Sequence, residues 1–145
     1  MSWDRNTLRQ GIVGSLIEYS SVPFQRDLWS GKLNGYIGYY EESLQHLEDY
    51  GIPDFLEEFQ SQGFLSQSEA KALSRLSNLL DVVIAEFRDT EYTNEKIWSS
   101  FSWQRFSQLA KEILIDYFIE ESKEMGIPYS DWIKNYDILG SETST

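Results

Sequence analysis

Ser66-Gln67-Ser68-Glu69 constrains the fold more than any other stretch of the chain. A serine followed three residues later by a glutamate sets up two reciprocal side-chain-to-backbone bonds. They satisfy N–H groups that a helix start otherwise leaves unpaired. Behind this box Leu73, Leu76, Leu80, Val83, Ile84 and Phe87 recur at helical spacing, with Leu79 beside them. The spacing predicts a helix from about Gln67 to Arg88 with an apolar stripe along its whole length. So long a stripe is stable only against other elements, and this helix is expected at the centre of the core.

A second long helix is predicted from about Trp103 to Met125, capped by Ser100 or Ser102. Phe106, Leu109, Ala110, Ile113, Leu114, Tyr117 and Phe118 form its inner face, and Gly126, Ile127 and Pro128 stop it. The first helix runs from Asp4 to about Tyr19, with Leu8, Ile12, Val13, Leu16 and Ile17 buried. Gly11 and Gly14 lie inside it. Each costs about 1 kcal/mol in helix propensity, and close approach of a neighbour is a reason to keep them. Shorter helices are expected over Phe24–Trp29, over Leu44–Tyr50 (capped by Ser43, closed by Gly51), from Pro53 to Gln62 and over Asn94–Trp98. A last one, capped by Ser130, holds Trp132, Ile133, Tyr136 and Ile138. Strand-type alternation is nearly absent, although Asn34-Gly35 is a type I′ turn signal that Leu33 and Tyr36 would flank as a tiny β-hairpin. The expected fold is all-α: one irregular bundle of about five to seven helices over residues 1–139, with a flexible tail at 140–145.

A chain of 145 residues buries roughly two-thirds of its unfolded surface. It has no cysteine, which excludes disulfides and thiolate metal sites and fits a reducing compartment. The net charge is −12, and residues 41–70 carry eight acids and neither lysine nor arginine. Such a molecule is repelled by nucleic-acid backbones and anionic lipid, so neither is expected as a partner. The N-terminus carries charges and no apolar run of the signal-peptide kind, and no window reaches the length of a spanning helix. The expected location is the cytoplasm.

The acid-rich stretch from Leu33 to Ala70 is threaded with Tyr36, Tyr39, Tyr40, Tyr50, Phe55, Phe59 and Phe64. Tyrosine suits interfaces because its ring packs while its hydroxyl hydrogen-bonds, and surrounding acids steer a basic partner. The expected partner-binding set is therefore Tyr39, Tyr40 and Tyr50 as anchors, with Glu41, Glu42, Glu48, Asp49, Asp54, Glu57 and Glu58 as the charge complement. His46, the one histidine, shares a helix face with Glu42 and Asp49, but the ligand set is too small for a good metal site. Ser43, His46 and Asp49 have the order of a triad. All three sit on one short helix, whereas triads converge from separate elements. Asp116, Glu120 and Glu124 line one helical face and read as solvated. No catalytic residues, metal or cofactor are expected.

Small, acidic, cysteine-free and helical, with aromatic anchors among its acids, the chain resembles the immunity proteins that bacteria keep against toxins. Pro23 to Trp29, Tyr40 to Leu44 and Leu65 to Ala70 carry the resemblance, which is one of type and assigns no residues. It implies a non-enzymatic protein that neutralises a basic bacterial toxin by occluding it. The alternative is a helical adaptor or regulatory module for a non-toxin protein, homodimeric through its tryptophan-bearing helices.

Overall fold

The computed structural model describes residues 3–33, 35–36 and 38–140. Among them the secondary structure is entirely helical, in nine helices: α1 (Arg5–Tyr19), α2 (Val22–Trp29), α3 (Tyr40–Asp49), α4 (Leu56–Ser61), α5 (Gln67–Phe87), α6 (Asn94–Ser99), α7 (Phe101–Tyr117), α8 (Ile119–Lys123) and α9 (Tyr129–Asn135). The all-α expectation holds, with more and shorter helices than the periodicity suggests. Asn34, the first residue of the expected hairpin turn, lies outside the described residues. The flanking Leu33 and Tyr36 are joined by a bond from the Tyr36 N–H to the Leu33 carbonyl at 2.9 Å, a turn with no strand on either side among the described residues. The expected tail at 140–145 falls outside them from residue 141 onward.

The centre of the bundle belongs to α1 rather than to α5. Leu8, Ile12, Val13, Leu16, Ile17 and Tyr19 are all fully buried, and α2, α3, α7, α8 and α9 all pack against α1. Its glycines make this enclosure possible. A Cβ on Gly11 would fall 2.1 Å from the ring of Tyr50, and one on Gly14 would fall 2.9 Å from the Tyr129 hydroxyl. Neighbours approach here as flat tyrosine rings lying on bare backbone. By contrast α5 packs on α3, α4 and α7 and leaves Lys71, Arg75, Asn78 and Asp81 in solvent. Its capping box forms as expected, with the Ser66 hydroxyl accepting from Glu69 N–H at 3.1 Å and the Glu69 carboxylate accepting from Ser66 N–H at 2.8 Å.

The expected helix from Trp103 to Met125 is two helices. Phe118 leaves the helical region (φ −132°, ψ 17°), separating α7 from α8, and its ring is fully buried. The break turns Glu121 toward α1, where Arg9 takes it: Arg9 Nη2 donates to Glu121 Oε1 at 3.0 Å, and Arg9 Nε also bonds this carboxylate. Asp116, Glu120 and Glu124 remain exposed on either side of the break, so they form no continuous face.

A second polar node fixes the C-terminal end of α1. The fully buried Gln25 donates from Nε2 to the carbonyls of Glu18 (2.9 Å) and Tyr19 (3.1 Å). Its Oε1 accepts from Trp98 Nε1 (3.1 Å) and Trp103 Nε1 (3.0 Å). One side chain thus serves two carbonyls at the end of α1 and two buried indole donors, and the Ser107 hydroxyl also donates to the Tyr19 carbonyl at 2.7 Å. Both indoles lie in the core, and the exposed aromatic ring at the start of α7 is Phe101. No helix among the described residues is long and apolar enough to cross a membrane.

Candidate partner-binding cleft

The acid-rich stretch does not form one surface, because its residues take up different phases on two helices and a turn. Helix α3 starts at Tyr40 rather than after Ser43. Tyr40, Ser43 and Leu47 consequently become its inward stripe. Tyr40, expected as a surface anchor, is 3% exposed and packs among Trp29, Phe87, Tyr92 and Trp103. Burial pushes its hydroxyl up to about 12. It is a core residue, and this corrects the expectation. Phe55, one of the aromatics of this stretch, is 44% exposed on the turn before α4.

The remaining expected residues divide. Glu41 accepts a hydrogen bond from the Tyr92 hydroxyl, and Glu48 lies seven positions along the helix on the same side. Asp54 and Glu57 line a hollow of about 390 Å³ against α5, with Lys71 across from them. Glu58 and Tyr39 are exposed. Only Glu42, Asp49 and Tyr50 gather at one place, around His46.

That place is a cleft between the C-terminal half of α1, the side of α3 and α9. His46 Nε2 lies 2.6 Å from Glu18 Oε2, and the two side chains are 24% and 13% exposed. Glu18 Oε2 is closed to water and makes no other hydrogen bond. The Tyr19 hydroxyl donates to the Ser43 carbonyl at 2.6 Å, which holds α3 in register with α1 and sets His46 opposite Glu18. Burial pushes the His46 imidazole down, but the Glu18 bond and charge, with Glu42 and Asp49 nearby, outweigh it and raise the pKa above its ordinary value. Ser43 Oγ is buried without a partner while His46 faces Glu18, so the triad order in the sequence is not a triad in space. Among the described residues no three histidine or acid side chains are grouped as metal ligands.

The cleft has three connected parts. The smallest, about 90 Å³, has Gly11, Gly14 and Ser15 as its floor and Tyr50 and Tyr129 as walls. The middle chamber, about 170 Å³, brings Glu18, Glu42 and His46 opposite Tyr36, Tyr129 and Trp132. The outer part is a shelf of about 470 Å³ that shares Tyr36 and Trp132 with the chamber and adds Leu33, Ile127 and Pro128. Trp132 meets Tyr36 at 5.1 Å and 83°, Tyr129 at 5.2 Å and 84°, and Phe24 at 4.9 Å. The Tyr136 hydroxyl, donating to Asp27 at 2.6 Å, ties the end of α9 to α2 and so fixes the Trp132 wall. Burial first, then the nearby Tyr50, Glu18 and Tyr36, raise the pKa of Tyr129. The chamber is thus aromatic on one side and carboxylate on the other.

Sequence reasoning missed Glu18, Tyr129 and Trp132 as members of this site. Glu18 did leave a signal. It is the one acid within α1 and sits in the last turn, where the helix dipole favours a cation, so it needs a compensating partner. Nothing in the spacing of residues 129–132 shows that they reach α1.

No protein-family model, curated protein or solved structure matches this chain.

Proposed function

We propose that this protein is a non-enzymatic binder of a basic protein partner, and that the partner is a bacterial toxin which it neutralises by occlusion. The observation that carries the reading is the cleft between α1, α3 and α9. There Glu18 and Glu42 stand beside Tyr36, Tyr50, Tyr129 and Trp132, with Asp49 adding its charge near His46, in a chain of net charge −12. Acids around rigid aromatic anchors suit recognition of a basic surface, with charge setting the association rate and the rings supplying contact area. The toxin assignment rests on the resemblance in type to small acidic immunity proteins.

The test is capture of the partner on the immobilised protein, washed at low and then high salt, followed by an assay of the captured protein. Support requires one basic protein, released by salt, whose toxic activity the purified chain suppresses. Capture of an acidic protein or a large housekeeping assembly instead, with no toxicity to suppress, would refute the toxin reading and favour an adaptor. In that alternative the exposed Phe101, beside a hollow lined by Arg75, Leu79, Arg105 and Leu109, is the surface that points to a different partner.

A further inference from the structure

We propose that the middle chamber of the cleft is a seat for one cationic side chain of the partner, a lysine ammonium or arginine guanidinium, with a neighbouring apolar residue lying on the outer shelf. This rests on the basic-partner reading and deepens it by naming the group recognised and its place.

Three independent features converge on a cation. The first is the rings. Tyr36 and Tyr129 each stand nearly perpendicular to Trp132, so the three rings make one continuous aromatic wall of the chamber. Aromatic faces carry negative charge density and attract a cation within about 6 Å of the ring centre. The second is the opposite wall, where Glu18 and Glu42 supply carboxylates. Glu18 Oε2 is shut off from solvent and taken by His46, so this carboxylate acts on a guest through its charge. The third is size. A chamber of about 170 Å³ equals roughly five water volumes, enough for a guanidinium or for an ammonium with its last methylenes. An anion is excluded by the carboxylates, and a purely apolar group would leave them dehydrated and unpaired.

The shelf supplies the second half of the recognition. Tyr36 and Trp132 belong to both parts, so a group leaving the chamber passes directly onto Leu33, Ile127 and Pro128. Ile127 is 78% exposed, and covering it is favourable. A basic residue flanked by an apolar one fits this layout.

His46 makes the seat sensitive to pH. The groups facing it are Glu18 and Tyr19 on α1, Glu42, Asp49 and Tyr50 from α3 and its end, and Tyr129 on α9. When protonated, His46 cancels the charge of Glu18 and repels a cation; when neutral, it leaves that negative charge uncompensated.

The probe is blocked arginine amide and blocked lysine amide, titrated into isotope-labelled protein and followed by NMR, with blocked citrulline amide as the isosteric uncharged control. The expected result is saturable shifts of the Trp132 indole and of signals from Tyr36 and Tyr129, in the millimolar range for either cation. Citrulline should bind about tenfold more weakly or not at all, one decade being the size of a single modest contact. Glu42 is exposed, so Glu42→Gln keeps the fold and should weaken the cations severalfold. Raising the pH through the His46 titration should tighten them. Equal binding of citrulline, shifts confined to other surfaces or no saturable shift at all would overturn the proposal. Salt-dependent capture of a basic toxin would then still stand on the other acids, so failure of the seat is distinguishable from failure of the partner reading.

Discussion

Arg9 and Glu69, sixty positions apart, meet as a parallel two-pronged pair, with Nη1–Oε1 and Nη2–Oε2 both at 2.8 Å. The same carboxylate closes the capping box of α5, and the same guanidinium holds Glu121 and the Phe64 carbonyl. Arg9 lies 5.0 Å from the Phe118 ring centre. The start of α5, the break after α7 and the body of α1 therefore share one buried charge. Arg9→Met leaves two carboxylates without their cation and is expected to cost about 3–5 kcal/mol. Urea unfolding measures it, and a loss under about 1 kcal/mol would mean that the pair is dispensable.

Acid should undo the same node. Burial pushes the Glu69 carboxyl up, but its bonds to Arg9 and Ser66 prevail and hold it below the ordinary value. A carboxyl depressed in the folded state stabilises the protein fully above its unfolded pKa, near 4.3. That stabilisation is lost as the pH falls through the folded value. Melting temperature should therefore decline below about pH 4.3, with a smaller decline in Glu69→Gln, which starts less stable.

His46 behaves in the opposite sense. Its raised pKa means that the pair with Glu18 stabilises fully below the unfolded value, near 6.5. The contribution disappears as the pH rises through the folded value. As the only histidine, it gives a single imidazole titration by NMR. A midpoint above 6.5 that returns toward it in Glu18→Gln is the expected outcome; a midpoint below 6.5 would show that burial wins.

Gln25→Leu should destabilise by about 2–4 kcal/mol, because two buried indole N–H groups and the Glu18 carbonyl lose their partner, while the Tyr19 carbonyl keeps the Ser107 hydroxyl. Near-UV circular dichroism reads the change directly, through Trp98 and Trp103.

Gly11→Ala tests the glycine floor. On propensity alone it would stabilise α1 by about 1 kcal/mol. Because the new methyl meets the Tyr50 ring, it should destabilise by about 1–3 kcal/mol. In a Tyr50→Ala background the clash is gone, and the substitution should become neutral or favourable.

What could be read in the chain was local. The capping box of Ser66 and Glu69, the closing Gly51 in the left-handed region (φ 77°) and the apolar periods of α1, α5 and α7 all act within a few residues, and they set the all-helical fold. Tyr40 was misread for a physical reason. Helix α3 has no side-chain cap, since Tyr39 makes no bond to its first turn, so nothing marks the start. Moving that start from Ser43 to Tyr40 turns Tyr40 inward. The break at Phe118 was equally silent, because no glycine or proline stands there. The cleft was the least legible. Glu42 and Tyr50 were visible as an acid and an aromatic, but the groups opposite them come from α1 and α9, and only long-range packing joins the three.

The floor and walls of the cleft come from Gly14, Tyr36, His46 and Trp132, spread along nearly the whole chain. No fragment can carry the site, and the unfolded chain has no remnant of it. Whatever occupies the cleft therefore binds the native state alone and raises its resistance to unfolding by mass action, by about 2.7 kcal/mol at a hundredfold excess over the dissociation constant. Under the proposed function, the protein would turn over faster in cells that lack the partner, and its abundance would follow the partner's.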